Sequence, residues 1–158
     1  LTNMEFSKVC GQIATSVQEI DVEEIATASF SMHGGAIGTI HAGYVLPKRY
    51  GDIALTIRGT MGDVTWKSWD YHGRQDHVYL QSSHSKWNEK DYHKLHCPTP
   101  DGPGYGGQMG IDFVEDFIRA NRSRELFVTD GHDAVKAMQF VEAVYRSAKH
   151  GQTEVLQF

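Results

Sequence analysis

Ala26-Thr27-Ala28-Ser29-Phe30-Ser31-Met32-His33-Gly34-Gly35-Ala36-Ile37-Gly38-Thr39 is the stretch that decides the architecture. Two runs rich in Ala, Thr, Phe and Ile flank a pair of glycines, which is the signal of a two-residue hairpin. Residues 24–32 are therefore expected to return as residues 36–46, side by side and antiparallel. Gly38 and Gly43 in the return strand predict close backbone packing or a bend. Before this hairpin, residues 9–17 read as another strand, separated from it by the polar break at 19–23. After it comes a polar loop, 47–51, and then Asp52-Ile53-Ala54-Leu55-Thr56-Ile57-Arg58. Here Ile53, Leu55 and Ile57 alternate strictly with Ala54, Thr56 and Arg58, the pattern of a half-buried strand. Gly59-Thr60-Met61-Gly62 turns the chain into residues 63–70, and 76–81 make a further strand.

The second half follows a different period. Residues 82–107 are polar, hold three of the four prolines, and read as one long loop, a length usual for functional or mobile segments. A helix is expected over 107–120, with Met109, Phe113, Val114, Phe117 and Ile118 on one stripe. A second starts at Thr129 or Asp130 as N-cap, with Asp133 in its first turn. Its apolar positions are Ala134, Met138, Val141, Tyr145 and Ala148, and Gly151 is the C-cap. Residues 153–158 close the chain as a short strand. Strands first and helices last imply an α+β domain spanning 1–158, a mostly antiparallel open sheet with helices packed on one face.

Composition narrows the function. The chain has 158 residues, 40% apolar and 22% charged, with a net charge of −5, which is ordinary for a soluble globular domain. The acidic balance argues against nucleic acid or an anionic membrane as partner. Cys10 and Cys97 alone give no disulfide framework and fit a reducing compartment. No signal peptide or membrane-length apolar run is visible, so a cytoplasmic location is expected. Residue 1 is Leu, so the chain is expected to start inside a longer reading frame or to be processed.

Three segments in this order resemble the C-terminal domain of the glucose-fructose oxidoreductase / inositol dehydrogenase (Gfo/Idh/MocA) family. The first is 26–39, similar to the family's hairpin through a Gly-Ala turn. The second is 52–62, similar to its strand ending in a G-x-x-G turn. The third runs from Phe117-Ile118 through Asp130-Gly131 to Ser147-Ala148-Lys149-His150-Gly151, like its closing helix pair and the "S-A-x-x-G" ending. Together they cover nearly the whole chain. The resemblance implies a fold like the C-terminal domain of glyceraldehyde-3-phosphate dehydrogenase. It also implies a parent NAD- or NADP-dependent enzyme acting on a sugar, polyol or similar hydroxylated substrate. The family's N-terminal Rossmann unit and its E-K-P lysine are not in this sequence. The isolated chain is therefore expected to be inactive, to bind no cofactor, and to shape a substrate pocket and an oligomer. A stand-alone, non-enzymatic α+β binding or dimerisation module is the alternative.

Candidate site residues follow. Lys48, Arg49 and Tyr50 lie in the loop that the resemblance turns toward substrate, where cations and a phenol could bind hydroxyls or a carboxylate; a solvated loop also accounts for them. Tyr105 and Gln108, at the entrance of the first helix, are similar candidates. Gly102-Pro103-Gly104-Tyr105-Gly106-Gly107 satisfies G-x-G-x-x-G. A dinucleotide turn needs a buried strand before it, though, and Cys97-Pro98-Thr99-Pro100 cannot supply a central one. His93-x-x-His96-Cys97 has metal-ligand chemistry but no second cluster beside it, and solvated loop histidines are the expectation. Trp66, Trp69 and Trp87 could stack on a sugar or fill a core. Residues 36–46 carry apolar side chains in both phases, Ile37 and Val45 against Ile40, Tyr44 and Leu46. Another sheet is therefore expected to cover the open sheet face, as a homo-oligomer.

Overall fold

The computed structural model describes residues 4–45, 54–67, 75–88, 93–98, 107–127 and 129–157, those at 67, 75–77, 93–98 and 107–109 by their backbone alone. The chain divides into two compact units, Leu1–Leu46 with Leu126–Phe158, and Pro47–Glu125.

The first unit is a four-stranded sheet with one helix on it. Its strands are β1 (Phe6–Ala14), β2 (Ile25–Met32), β3 (Ile37–Gly43) and β8 (Glu154–Val155), in the order β3-β2-β1-β8. All three pairings are antiparallel. β1 begins and ends three residues earlier than its apolar content suggested. The hairpin signal at the glycines holds, but the loop is longer than two residues. Ser31 pairs with Ile37 and the Met32 amide donates to the Ala36 carbonyl at 2.8 Å, so His33, Gly34 and Gly35 form the loop. Gly34 (φ 96°) and Gly35 (φ 91°) both take left-handed backbone, which explains why two glycines stand there.

Helix α2 (Gly131–His150) lies against β1 and β8. Asp130 caps it, accepting from the His132 and Asp133 amides at 2.8 and 3.1 Å, while the Asp133 carboxylate accepts from the Asp130 amide. Gly151 ends it at φ 65°. Asp130 is one of the two N-caps the sequence offered, beside Thr129, and Gly151 is the C-cap expected. The buried stripe is a different one. Phe140, Ala143, Val144 and Ser147 face the sheet, whereas Met138 (59%) and Tyr145 (39%) are exposed. α2 carries two apolar stripes at helical spacing, and period alone cannot choose between them. Aromatic contact chooses: the Phe140 ring centroid lies 4.4 Å from Phe6 and 6.0 Å from Phe30. A register shift between Phe6 and Lys8 puts Phe6 on the same face as Val9, which plain alternation would forbid. Val9, Ala28, Phe140, Ala143, Val144 and Leu156 complete the core.

The second unit holds β4 (Ala54–Gly59), β5 (Gly62–Lys67), β6 (Gln75–Ser82) and β7 (His93–Pro98) in that order, all antiparallel, and α1 (Gly107–Ser123). The G-x-x-G turn is a two-residue connection, since Gly59 pairs with Gly62. Gly62 has φ 144°, and a Cβ on it would collide with the Gln81 carbonyl oxygen, so this position admits glycine only. β7 corrects the expectation of an unbroken loop over 82–107. A strand at a sheet edge can be polar on both faces, and the single apolar residue Leu95 left no period to read. β4 corrects another. Register aligns Leu55 and Ile57 with Trp66 and Val64 on one face, but Leu55 is 44% and Ile57 36% exposed, so the alternation is present without the burial. α1 starts where expected, and among its described side chains Phe113, Val114, Phe117 and Ile118 remain exposed while Ala120 is buried.

Candidate functional site

Among the described residues of the first unit, no helix lies on the sheet face opposite α2. Alternation brings Lys8, Cys10, Ser29, Ser31, Ile37 and Thr39 onto it, and they line a shallow depression of about 560 Å³. It is a surface of short hydroxyls, one ammonium and one thiol rather than a second core. Ser31 Oγ lies 3.0 Å from Ser7 Oγ, and Thr27 Oγ1 lies 2.5 Å from His41 Nδ1. Ile37, the most prominent apolar group there, is 84% exposed. Apolar residues in both phases of β3 were read correctly: Ile40 turns to the α2 side, Ile37 to the open side.

One end of this unit is fixed by a carboxylate. Glu24 is fully buried, and its oxygens accept from the amides of Ser16, Val17 and Gln18 at 2.6, 2.7 and 2.7 Å. The Ser16 amide is the largest influence holding its pKa below the ordinary 4.5, ahead of burial, which acts the other way, and of the other two amides. Beside it Tyr145 Oη donates to Glu23 Oε2; this bond lowers the Glu23 pKa and raises that of Tyr145. Lys136 Nζ meets Glu5 Oε1 at 2.5 Å. Sequence reasoning took Glu24 as the first residue of a strand. A charge beside a turn of polar residues was the only available signal.

Lys48, Arg49, Tyr50 and Tyr105 lie outside the described residues, as do Trp69 and residues 102–106 of the glycine-rich run. Gln108 stands in the first turn of α1, described by its backbone. Trp66 shares a sheet face with Leu55 and Val78 by register. The Trp87 ring has Lys86 Nζ 5.0 Å from its centroid. Among the described residues no three His, Cys, Asp or Glu side chains gather as a metal site, and no helix is long and apolar enough to cross a membrane.

A nicotinamide dinucleotide does not fit the described residues. Its pyrophosphate rests on a helix N-terminus reached from a parallel βαβ unit, and every strand pair described is antiparallel.

Comparison with known proteins agrees with this architecture. The family described as "Oxidoreductase family, C-terminal alpha/beta domain" matches residues 2–156. Levoglucosan dehydrogenase, solved with NADH and levoglucosan, superposes with a TM-score of 0.77 at 20% identity over 97% of this chain and 45% of its own. Aldose-aldose oxidoreductase from Caulobacter crescentus, solved with glycerol, gives 0.72 at 19% over 98% and 42%. An oxidoreductase domain protein from Kribbella flavida gives 0.78 at 17% over 99% and 46%. At these identities the likeness is one of fold, and the chain spans less than half the length of each. No curated protein matches by sequence.

Proposed function

The chain belongs to the Gfo/Idh/MocA oxidoreductase family as its C-terminal alpha/beta domain, and from that premise we propose that it is the substrate-binding and oligomerisation domain of an NAD(P)-dependent enzyme. The substrate class we assign is a sugar, polyol or similar hydroxylated molecule. One observation carries the reading: in the helix-backed antiparallel sheet of the first unit, the face opposite α2 bears serines, threonines and a lysine around a shallow depression. Such a face suits contact with another subunit or with a polar ligand. The sugar and glycerol complexes of proteins with this fold support the substrate class. The NADH complex supports a nicotinamide cofactor in the parent enzyme.

In this reading Lys48, Arg49, Tyr50, Tyr105 and Gln108 hold the substrate's hydroxyls or carboxylate in position, and the rest of the parent enzyme binds the nucleotide and carries the chemistry. Two measurements on the chain test it. Light scattering at micromolar concentration should give an oligomer mass, and a clean monomer would reject the oligomerisation role. Titration of NADH followed by its fluorescence should show no saturation, and saturable micromolar binding would overturn the assignment of the cofactor to the rest of the enzyme.

A further inference from the structure

Between β1 and β2 the chain makes an excursion, residues 15–23, whose ends meet. The Glu24 amide donates to the Ala14 carbonyl at 2.9 Å, and Thr15 Oγ1 donates to the Val22 carbonyl at 2.9 Å just inside that neck. A compact surface excursion with its ends together is an Ω-loop, a kind of segment that is frequently functional. This one is held differently from the sheet it leaves. Val17 is 71% and Val22 58% exposed, and Ile20 is only half-buried. Apolar burial, which closes the rest of the unit, therefore contributes little to closing the loop.

One carboxylate closes it instead. The successive amides of Ser16, Val17 and Gln18 converge on the Glu24 side chain, two on Oε2 and one on Oε1. Consecutive amides arranged in this way make a concave receptor for an anion, and here the chain fills it with its own. No charged side chain figures among the influences on the Glu24 carboxyl, which are led by the Ser16 amide. The titratable groups around it are engaged elsewhere. Glu23 is bonded to Tyr145 of α2, Tyr44 beyond β3 meets Glu24 through its backbone amide, and Glu19 and Asp21 of the loop are exposed. A proton taken up by Glu24 thus removes the charge that three amides face, with no ion pair to replace it.

We propose that residues 15–23 are a carboxylate-latched loop that opens as a unit when Glu24 is protonated, while the sheet and α2 stay folded. The pair Ala14↔Ile25 already closes the ladder of β1 and β2, so the loop can leave without breaking a bond within the strands. Segments poor in apolar contacts open at a lower free energy than the whole domain. The amides hold the carboxyl below its ordinary 4.5, so the opening falls on the acid side of that value. Once open, the loop turns the amides of Ser16, Val17 and Gln18 to water and withdraws Glu23 from Tyr145. This inference is independent of the substrate-domain reading.

Amide hydrogen exchange read by NMR on the intact chain tests it. At neutral pH the amides of Ser16, Val17 and Gln18 should be protected, as should those of Val9 and Ala28 in the core strands. As pH falls below 4.5, the protection factors of the three loop amides should drop by about tenfold or more, the scale of one hydrogen bond to a charged acceptor. Val9 and Ala28 should keep theirs. Glu24→Gln should open the loop at neutral pH, because its side chain offers one acceptor oxygen and sets an N–H against the remaining amide. Glu23→Gln keeps an acceptor for Tyr145 and should leave the three amides protected. Three results would overturn the proposal: loop and core amides losing protection together as acid is added, loop amides as protected in Glu24→Gln as in the unaltered chain, or equal opening in Glu23→Gln.

Discussion

The hydroxyl of Ser147 accepts a hydrogen bond from the amide of Gly11 at 2.9 Å and donates one to the carbonyl of Gln152 at 2.5 Å. β8 pairs with β1 only as far as Lys8 and Val9, so beyond it the Gly11 amide has no ladder partner on that side. Ser147, fully buried on α2, takes the place of the missing strand. Replacing it with alanine leaves a buried donor unsatisfied, which costs about 1–3 kcal/mol. Urea denaturation of Ser147→Ala should show a lower midpoint with an unchanged slope.

Gly11 also fixes how close α2 can come. A Cβ built on it lies 2.7 Å from Val144 Cγ1 and 3.1 Å from the Val144 carbonyl oxygen. Gly11→Ala should therefore destabilise by about 1–3 kcal/mol through overpacking. Val144→Ala in the same chain removes the clashing methyl, so the double variant should lose less than the sum of the two single losses. A double-mutant cycle measures that difference.

Glu24 makes the first unit sensitive to acid. Its folded pKa lies below the ordinary 4.5 because the Ser16 amide and its two neighbours favour the carboxylate. Asp130 behaves likewise, its pKa lowered first by the Asp133 amide. A carboxyl with a depressed folded pKa contributes stability that is present above its unfolded value and is lost as pH falls through the folded one. The melting temperature should thus fall as pH drops from neutral through the carboxylate range. Glu24→Gln should melt lower at neutral pH and show a shallower decline toward acid. An acid limb identical to that of the unaltered chain would contradict the role given to this carboxylate.

Ile37 tests the open sheet face. It stands 84% exposed at the rim of the depression, so a charge there should not disturb the core of its own subunit. If the proposed oligomer forms through this face, Ile37→Glu should convert it to monomer in light scattering, while the melting temperature at high dilution stays that of the unaltered chain. If the mass does not change, the contact lies elsewhere.

The sequence announced whatever depended on local backbone chemistry. The paired glycines at 34 and 35, the G-x-x-G ending at Gly62, Asp130 as N-cap and Gly151 as C-cap were all legible, because each meets a demand of φ or of an orphan amide within a few residues. Features set by distant partners were not. The choice of Phe140 over Met138 as the buried stripe depends on Phe6 and Phe30, and the short strand β7 depends on β6 beside it. Ser147 entered only as a letter in a family motif, and its reason lies at Gly11, far away in the chain. Of the candidate site, Lys48, Arg49, Tyr50 and Tyr105 fall outside the described residues, and Gln108 is placed by backbone alone.

The first unit is discontinuous in the chain, and this bears on how it is made. Its opening strands are completed by α2 and β8: Gly11 meets Ser147 across 136 positions and Glu5 meets Lys136 across 131. A ribosome adding about 5–20 residues per second releases the hairpin of β2 and β3 on the order of ten seconds before the helix that covers it. During that interval the faces of Phe6, Phe30 and Ala28 stay wet, and such long-range closure is intrinsically slow. Nascent chains should therefore engage holding chaperones until translation has passed α2, and yield of native protein should respond to synthesis speed more than to the stability of the finished domain.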